Sequence, residues 1–217
     1  MFSLSNLLND MIYMVPAILI VITIHEFSHA LVAYSLGDGT AKSQGRLSLN
    51  PLVHLDPLGT LMLVLSMLSR FGIGWGKPVP VNPNRLSPGP KTGMALVSAA
   101  GPLSNILTAF VLFLPVRFSL PVYNNDVVAT LASYIIQWSI GLGAFNLLPL
   151  PPLDGFAIVL GILPNSAARS FGRIAQYGIG PLMLILVADW VLHVDILGLA
   201  MRPLLTVISA FVAGGTA

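Results

Sequence analysis

An all-α polytopic membrane protein is the fold class this sequence predicts, with about five transmembrane helices, one short re-entrant or interfacial helix and a few short membrane-associated β-strands. Three observations predict it. Of 217 residues, 55% are hydrophobic and 8% charged, and the mean hydropathy is +0.86. A soluble domain carries about a quarter charged residues, so this chain cannot build a water-facing surface of ordinary polarity. Apolar runs recur at about the 20-residue length of a bilayer crossing. Between them, glycine and proline cluster so densely that helices are broken repeatedly. Residues 1–217 are expected to form a single domain, without internal repeats or a low-complexity tail.

In chain order, the first apolar run covers residues 11–36. The ten residues before it hold no Lys or Arg, and no small-residue cleavage site closes the run, so it is expected to be kept rather than removed as a signal peptide. The connecting stretches that follow contain GDGT, LNP, GIGWGKPVPVNPN and SPGP, with residues 46–49 and 78–81 as the strand candidates. Between these stretches, residues 58–69 (LGTLMLVLSMLS) follow Asp56-Pro57, a helix N-cap with a proline at the first helical position. That run is too short to cross and is expected to be re-entrant or interfacial. Further crossings are expected at 92–116, 126–148, 173–191 and 194–212.

Charge counting orients the chain. Lys42, Arg46, Arg70, Lys77, Arg85 and Lys91 fall on one side if 58–69 does not cross, joined by Arg169 and Arg173, and Arg117 stands alone on the other. The positive-inside rule makes the basic side cytoplasmic, with the N-terminus outside and the C-terminus inside. The formal net charge is only +2, so the basic pI is a topology signal and does not point to nucleic acid. With no cysteine, disulfides and thiolate metal sites are excluded, and any metal must be held by imidazole and carboxylate.

One motif carries chemistry. The only glutamate of the chain, Glu26, stands in His25-Glu26-Phe27-Ser28-His29, inside the first apolar run. Histidines four apart lie on one helix face about one turn from each other, so both imidazoles can converge on one ion. Glu26 lies about 100° round the helix from His25, beside the ion without having to ligate it, and is free to take a proton from a metal-activated water. Bundle-facing polar residues joined by hydrogen bonds are the bland alternative. Ionisable groups at membrane depth cost at least about 2.5 kcal/mol each, and three within five residues are hard to explain structurally.

Two histidines leave the site incomplete. The remaining candidates are His54, His193 and the seven aspartates. Asp10 and Asp126 stand at helix starts and Asp38 in a Gly-Asp-Gly turn, where acids serve structure. His193 and Asp195 read as interfacial, with Asp189 and His193 a conceivable polar pair, and His54 and Asp56 read as turn and capping residues. Asp154 differs, because it follows Asn146-Leu147-Leu148-Pro149-Leu150-Pro151-Pro152-Leu153, where three prolines stop a helix at membrane depth. Broken backbone is tolerated there only where it is buried in protein or lines a water-filled cavity.

The pair HEFSH and NLLPLPPLDG resembles the two signature motifs, HExxH and NxxPxxxLDG, of the site-2 protease family of intramembrane zinc metalloproteases. Gly101-Pro102-Leu103-Ser104-Asn105 is similar to that family's GPxxN element, and Asn50-Pro51 with the run 54–59 resembles its bacterial members. The resemblance implies an enzyme holding one Zn2+ per chain through His25, His29 and Asp154, with Glu26 as general base and Asn146 as a donor near the scissile carbonyl. It implies a transmembrane protein substrate, a lipid bilayer as surroundings and a bacterial inner membrane as location; the charge bias is what opens the active site to the cytoplasm. No PDZ-like or CBS segment is visible, so a minimal member is expected. A shielded transmembrane helix must be opened before its carbonyls can be attacked, and residues 46–49 or 78–81 are the expected strand clamp. A metal-ion transporter and a catalytically silent membrane adaptor are the alternatives; an inverted repeat would favour the transporter, and none is visible.

Overall fold

The computed structural model describes residues 4–69 and 74–214. Nine α-helices lie within them: α1 (Leu4–Ser35), α2 (Thr40–Ser43), α3 (Pro57–Ser69), α4 (Pro90–Arg117), α5 (Asp126–Asn146), α6 (Asp154–Ile162), α7 (Asn165–Gly172), α8 (Gly180–Leu192) and α9 (Ile196–Ala213). Four of them are long and apolar enough to cross a membrane alone: α1 from Asp10, α4, α5 and α9. Their lipid-facing character is plain in α4, where Leu103, Leu107 and Val111 recur once per turn, each more than half exposed. Such a stripe suits hydrocarbon, and the protein is an integral membrane protein.

Small residues let the long helices approach closely, as expected where lipid offers no hydrophobic drive to association. Ala17 and Val21 of α1 pack on Ile135 of α5. Ala109 of α4 and Ala144 of α5 pack on Ile208 and Val212 of α9. On the other side of α1, Ala33 meets Leu86 and Val97. The helix ends are set by local chemistry as well: Asn125 caps α5 through Val127 and Val128, and Asp56 accepts from the Gly59 N–H at 2.7 Å to open α3, as expected from sequence.

The 173–191 region differs from a straight crossing. Asn165–Tyr177 and Gly180–Leu192 meet at 66°, hinged at Gly178 with φ 53°, a backbone region that favours glycine. At 13 residues, α8 rises about 20 Å, short of a hydrocarbon core of about 30 Å. The direction of α9 follows. Phe211 stacks on Phe110 and Gly214 abuts the Arg117 guanidinium, while Met201 and Leu204 pack with Leu148, Leu153 and Leu182. So α9 runs parallel to α4, and its C-terminal end lies at the same end of the bundle as the start of α1, where Asp10 accepts from Tyr134. The expected separation of the two termini is corrected.

The expected β-strands are also corrected. Among the described residues there is no strand, only an isolated antiparallel bridge between Leu55 and Gly76. Pro78 and Pro80 have no N–H to offer a ladder, and Arg46 spends its backbone N–H on the Ala41 carbonyl. Next to the second expected segment, the Arg46 guanidinium donates to the Lys77 carbonyl.

Candidate metal centre

A helix through residues 25–29 of α1 does what the spacing predicts. His25 and His29 present their Nε2 atoms 3.0 Å apart, with the rings edge to face at 87°. Both are buried, 5% and 8% exposed. Asp154 comes from the far half of the chain. Leu147 to Leu153 carry three prolines and end α5 inside the bundle, and α6 restarts with Asp154 as its first residue. Gly155 makes the restart possible, since a Cβ there would collide with the Leu147 and Leu148 carbonyls. The α6 helix then runs beside the first turns of α4, with Gly161 on Ala95 and Lys91 donating to the Leu163 carbonyl.

This path brings Asp154 Oδ2 to 3.2 Å from His25 Nε2 and 3.3 Å from His29 Nε2. The three ligand atoms lie within 4.8 Å of one another and form the one such group among the described residues. Asp154 Oδ2 is buried without a hydrogen-bond partner. Two nitrogens and one carboxylate oxygen converging on a common point, one of them an orphaned buried acceptor, fit a cation, and the donor set is that of a zinc site with open coordination positions.

Helix α4 shapes the pocket. His29 Nδ1 is 2.7 Å from the Val97 carbonyl, and His25 Nδ1 is 3.1 Å from Asn105 Nδ2. Gly101 stands between these contacts, where a Cβ would come under 3.0 Å from atoms of both imidazoles. Its absence of a side chain is a requirement of the site and more than ordinary helix packing. Gly101 is 11 residues into α4, about 16 Å along the axis, so the centre lies well inside the length of that helix and away from both its ends.

Glu26 is half-buried beside the triad and outside it. Its Oε1 faces the extended segment at Gly76, at 3.7 Å from the position a Cβ would take there. Asn146 is the last residue of α5, with Nδ2 donating to the Leu142 carbonyl at 3.1 Å, so in this conformation its amide is turned back on its own helix.

A profile of Peptidase family M50 matches residues 120–188, which include Asn146 and Asp154. The "Putative zinc metalloprotease YwhC" of Bacillus subtilis (strain 168) is 39% identical over 178 residues, covering 79% of this chain and 78% of that protein. The chain belongs to peptidase family M50. Two proteins named "Putative zinc metalloprotease Rip2" are more distant. That of Mycolicibacterium smegmatis is 30% identical over 71% of this chain and 59% of its own length; that of Mycobacterium tuberculosis (H37Rv) is 29% identical over 78% and 64%. This chain thus spans under two thirds of each Rip2 protein. No solved structure matches the chain.

As an M50 peptidase of the site-2 protease type, the protein is a zinc metalloprotease working inside a membrane. Four other ionisable candidates of this M50 chain make their contacts outside the triad. His54 is fully buried, with Nε2 on the Ser48 carbonyl at 2.7 Å. Asp189 accepts from the Ile196 and Leu197 N–H groups at the start of α9, and Asp195 pairs with Arg202 at 2.6 Å. Asp38 accepts from Thr40 and from the Asn82 N–H. Sequence reasoning gave Asn105 and the Val97 carbonyl no role at the site. The available signal was Asn105 as the one carboxamide of α4, one turn after Gly101 in the GPxxN-like run.

Proposed function

We propose that the chain hydrolyses a peptide bond within a transmembrane segment of another membrane protein, with His25, His29 and Asp154 as its zinc ligands and Glu26 as the general base. The convergence of three N and O donors at mid-bundle depth, with a single carboxylate beside them, carries this reading. Zinc held there supplies Lewis-acid polarisation of the carbonyl and acidifies water.

The chain's own residues do the rest. Glu26 accepts a proton from the attacking water as its oxygen bonds to the scissile carbon, and returns that proton to the amide nitrogen as the C–N bond breaks. Asn146, released from the Leu142 carbonyl by rotation of its side chain, donates from Nδ2 to the carbonyl oxygen as negative charge develops. The Val97 carbonyl holds His29 in place. A substrate helix shields its own carbonyls, so a few residues must unwind before any of this occurs.

The basic residues support a cytoplasmic opening. Among the described residues, Arg202, at the same end of α9 as Met201, joins Lys42, Arg46, Lys77, Arg85, Lys91, Arg169 and Arg173 at the loop-rich end, against Arg117 alone at the other. The test is cleavage of single-span substrates by purified enzyme in detergent or liposomes, with and without a zinc chelator. Cleavage within the span that stops with chelator and returns with zinc is expected; cleavage unaffected by zinc removal would reject the proposal.

A further inference from the structure

The two histidines are held differently, and the difference concerns protons. For both Nε2 atoms to face one cation with a lone pair, both Nδ1 atoms must carry the hydrogen. At His29 this is settled by the neighbour: the Val97 oxygen, 2.7 Å from Nδ1, can only accept. At His25 the neighbour is the carboxamide of Asn105, which can do either. Oriented with Nδ2 at 3.1 Å from His25 Nδ1, it would donate to that nitrogen and force the hydrogen onto Nε2, where the cation belongs. In the same orientation Asn105 Oδ1 is buried without any partner.

We infer that Asn105 is a positioning residue that sets the tautomer of His25, presenting Oδ1 rather than Nδ2 to the imidazole. Turning the amide by 180° leaves the heavy atoms where they are, and amide oxygen and nitrogen are distinguished by their bonding partners. The carbonyl then accepts from Nδ1–H, and Nε2 keeps its lone pair. The placement is rigid. Asn105 is 0% exposed on α4, and its Cβ is 3.7 Å from where a Cβ of Gly143 would be, so α5 presses directly on it. At 0% exposure the side chain is out of reach of bulk water and lipid. The two neutral hydrogen-bond acceptors, one from backbone and one from a side chain, would fix the imidazoles from the same helix α4, on either side of Gly101.

The inference rests on the proposed ligand set, and the experiment separates the two. Zinc affinity is measured by competition with a chromophoric chelator in purified, detergent-solubilised protein for the wild type and for Asn105→Asp, Asn105→Leu, Asn105→Ala and His25→Ala, each checked for folding by size-exclusion profile and melting. Losing such an outer partner costs about 10–100-fold in metal affinity. Asn105→Leu is expected to lose that much, with Asn105→Ala giving the same answer if leucine does not fold. Asn105→Asp, whose carboxylate accepts and does not donate, is expected to bind within a few-fold of wild type. An Asp variant as weak as the Leu or Ala variant would show that donation from Nδ2 mattered and overturn the inference. So would apolar variants that bind zinc like the wild type. Full zinc binding by His25→Ala would instead reject the ligand set itself.

Discussion

Glu26 and Gly101 make opposite demands on the same few ångströms. Glu26→Gln keeps the shape of the side chain and removes the proton acceptor, so it is expected to keep zinc while turnover falls by orders of magnitude. Zinc content and cleavage measured on one preparation check this, and a Gln variant cleaving near the wild-type rate would remove Glu26 from the mechanism. Gly101→Ala adds one methyl group that the two imidazoles already occupy. Overpacking of this kind costs about 1–3 kcal/mol, and the rings can yield only by separating, so zinc affinity is expected to drop by tenfold or more. Alanine also favours helix over glycine by about 1 kcal/mol, so the metal-free protein is expected to melt at nearly the same temperature. Zinc titration alongside a chelated melt checks both, and wild-type affinity in the alanine variant would place the rings elsewhere. The His25 and His29 pair was legible because both lie on one helix turn. Asn105 was not, because the spacing within α4 does not say which of its faces looks onto a histidine 80 positions earlier.

Among the elements, the loop after α1 is held by one buried carboxylate. Asp38 is 0% exposed, and its two oxygens accept from Thr40 N–H, Thr40 hydroxyl and Asn82 N–H. Burial pushes its pKa up, but these hydrogen bonds and the nearby Arg85 outweigh it and hold the group below its ordinary 3.8. A carboxylate with a depressed folded-state pKa contributes stability at neutral pH, and that contribution is lost as the pH falls from about 3.8 through the lower folded value. Asp38→Asn is accordingly expected to destabilise by about 1–3 kcal/mol at neutral pH and to flatten the acid limb of the melting curve. Melting against pH in detergent checks it; an unchanged acid limb would mean that Asp38 does not anchor the 82 segment. The proline stop before Asp154 was readable because proline acts locally. The absence of strands was missed at 46–49 and 78–81 because their apolar alternation hid two prolines without N–H groups and an arginine that bonds through its side chain.

For the whole molecule, the length of each apolar run was legible and the direction of the last was not. Hydropathy registers the apolar character of residues 173–191 and ignores the hinge at Gly178 that folds them back. Placing the start of α1 and the end of α9 at one end of the bundle predicts that single cysteines near Tyr123 and at Gly214 are labelled from the same side, and one at Lys77 from the other; the chain has no background thiols. Labelling of positions 77 and 214 from one side would contradict the direction of α9. The central claim joins distant parts of the fold, α1 and the start of α6, through one ion. Its most direct measurement is bound zinc by elemental analysis in folded Asp154→Ala, compared with Asp56→Ala, Asp189→Ala and His54→Ala. The account predicts strong loss of zinc in the Asp154 variant alone and near-full occupancy in the others. Full occupancy without the Asp154 carboxylate, with loss in one of the others, would contradict it and move the metal to another part of the bundle.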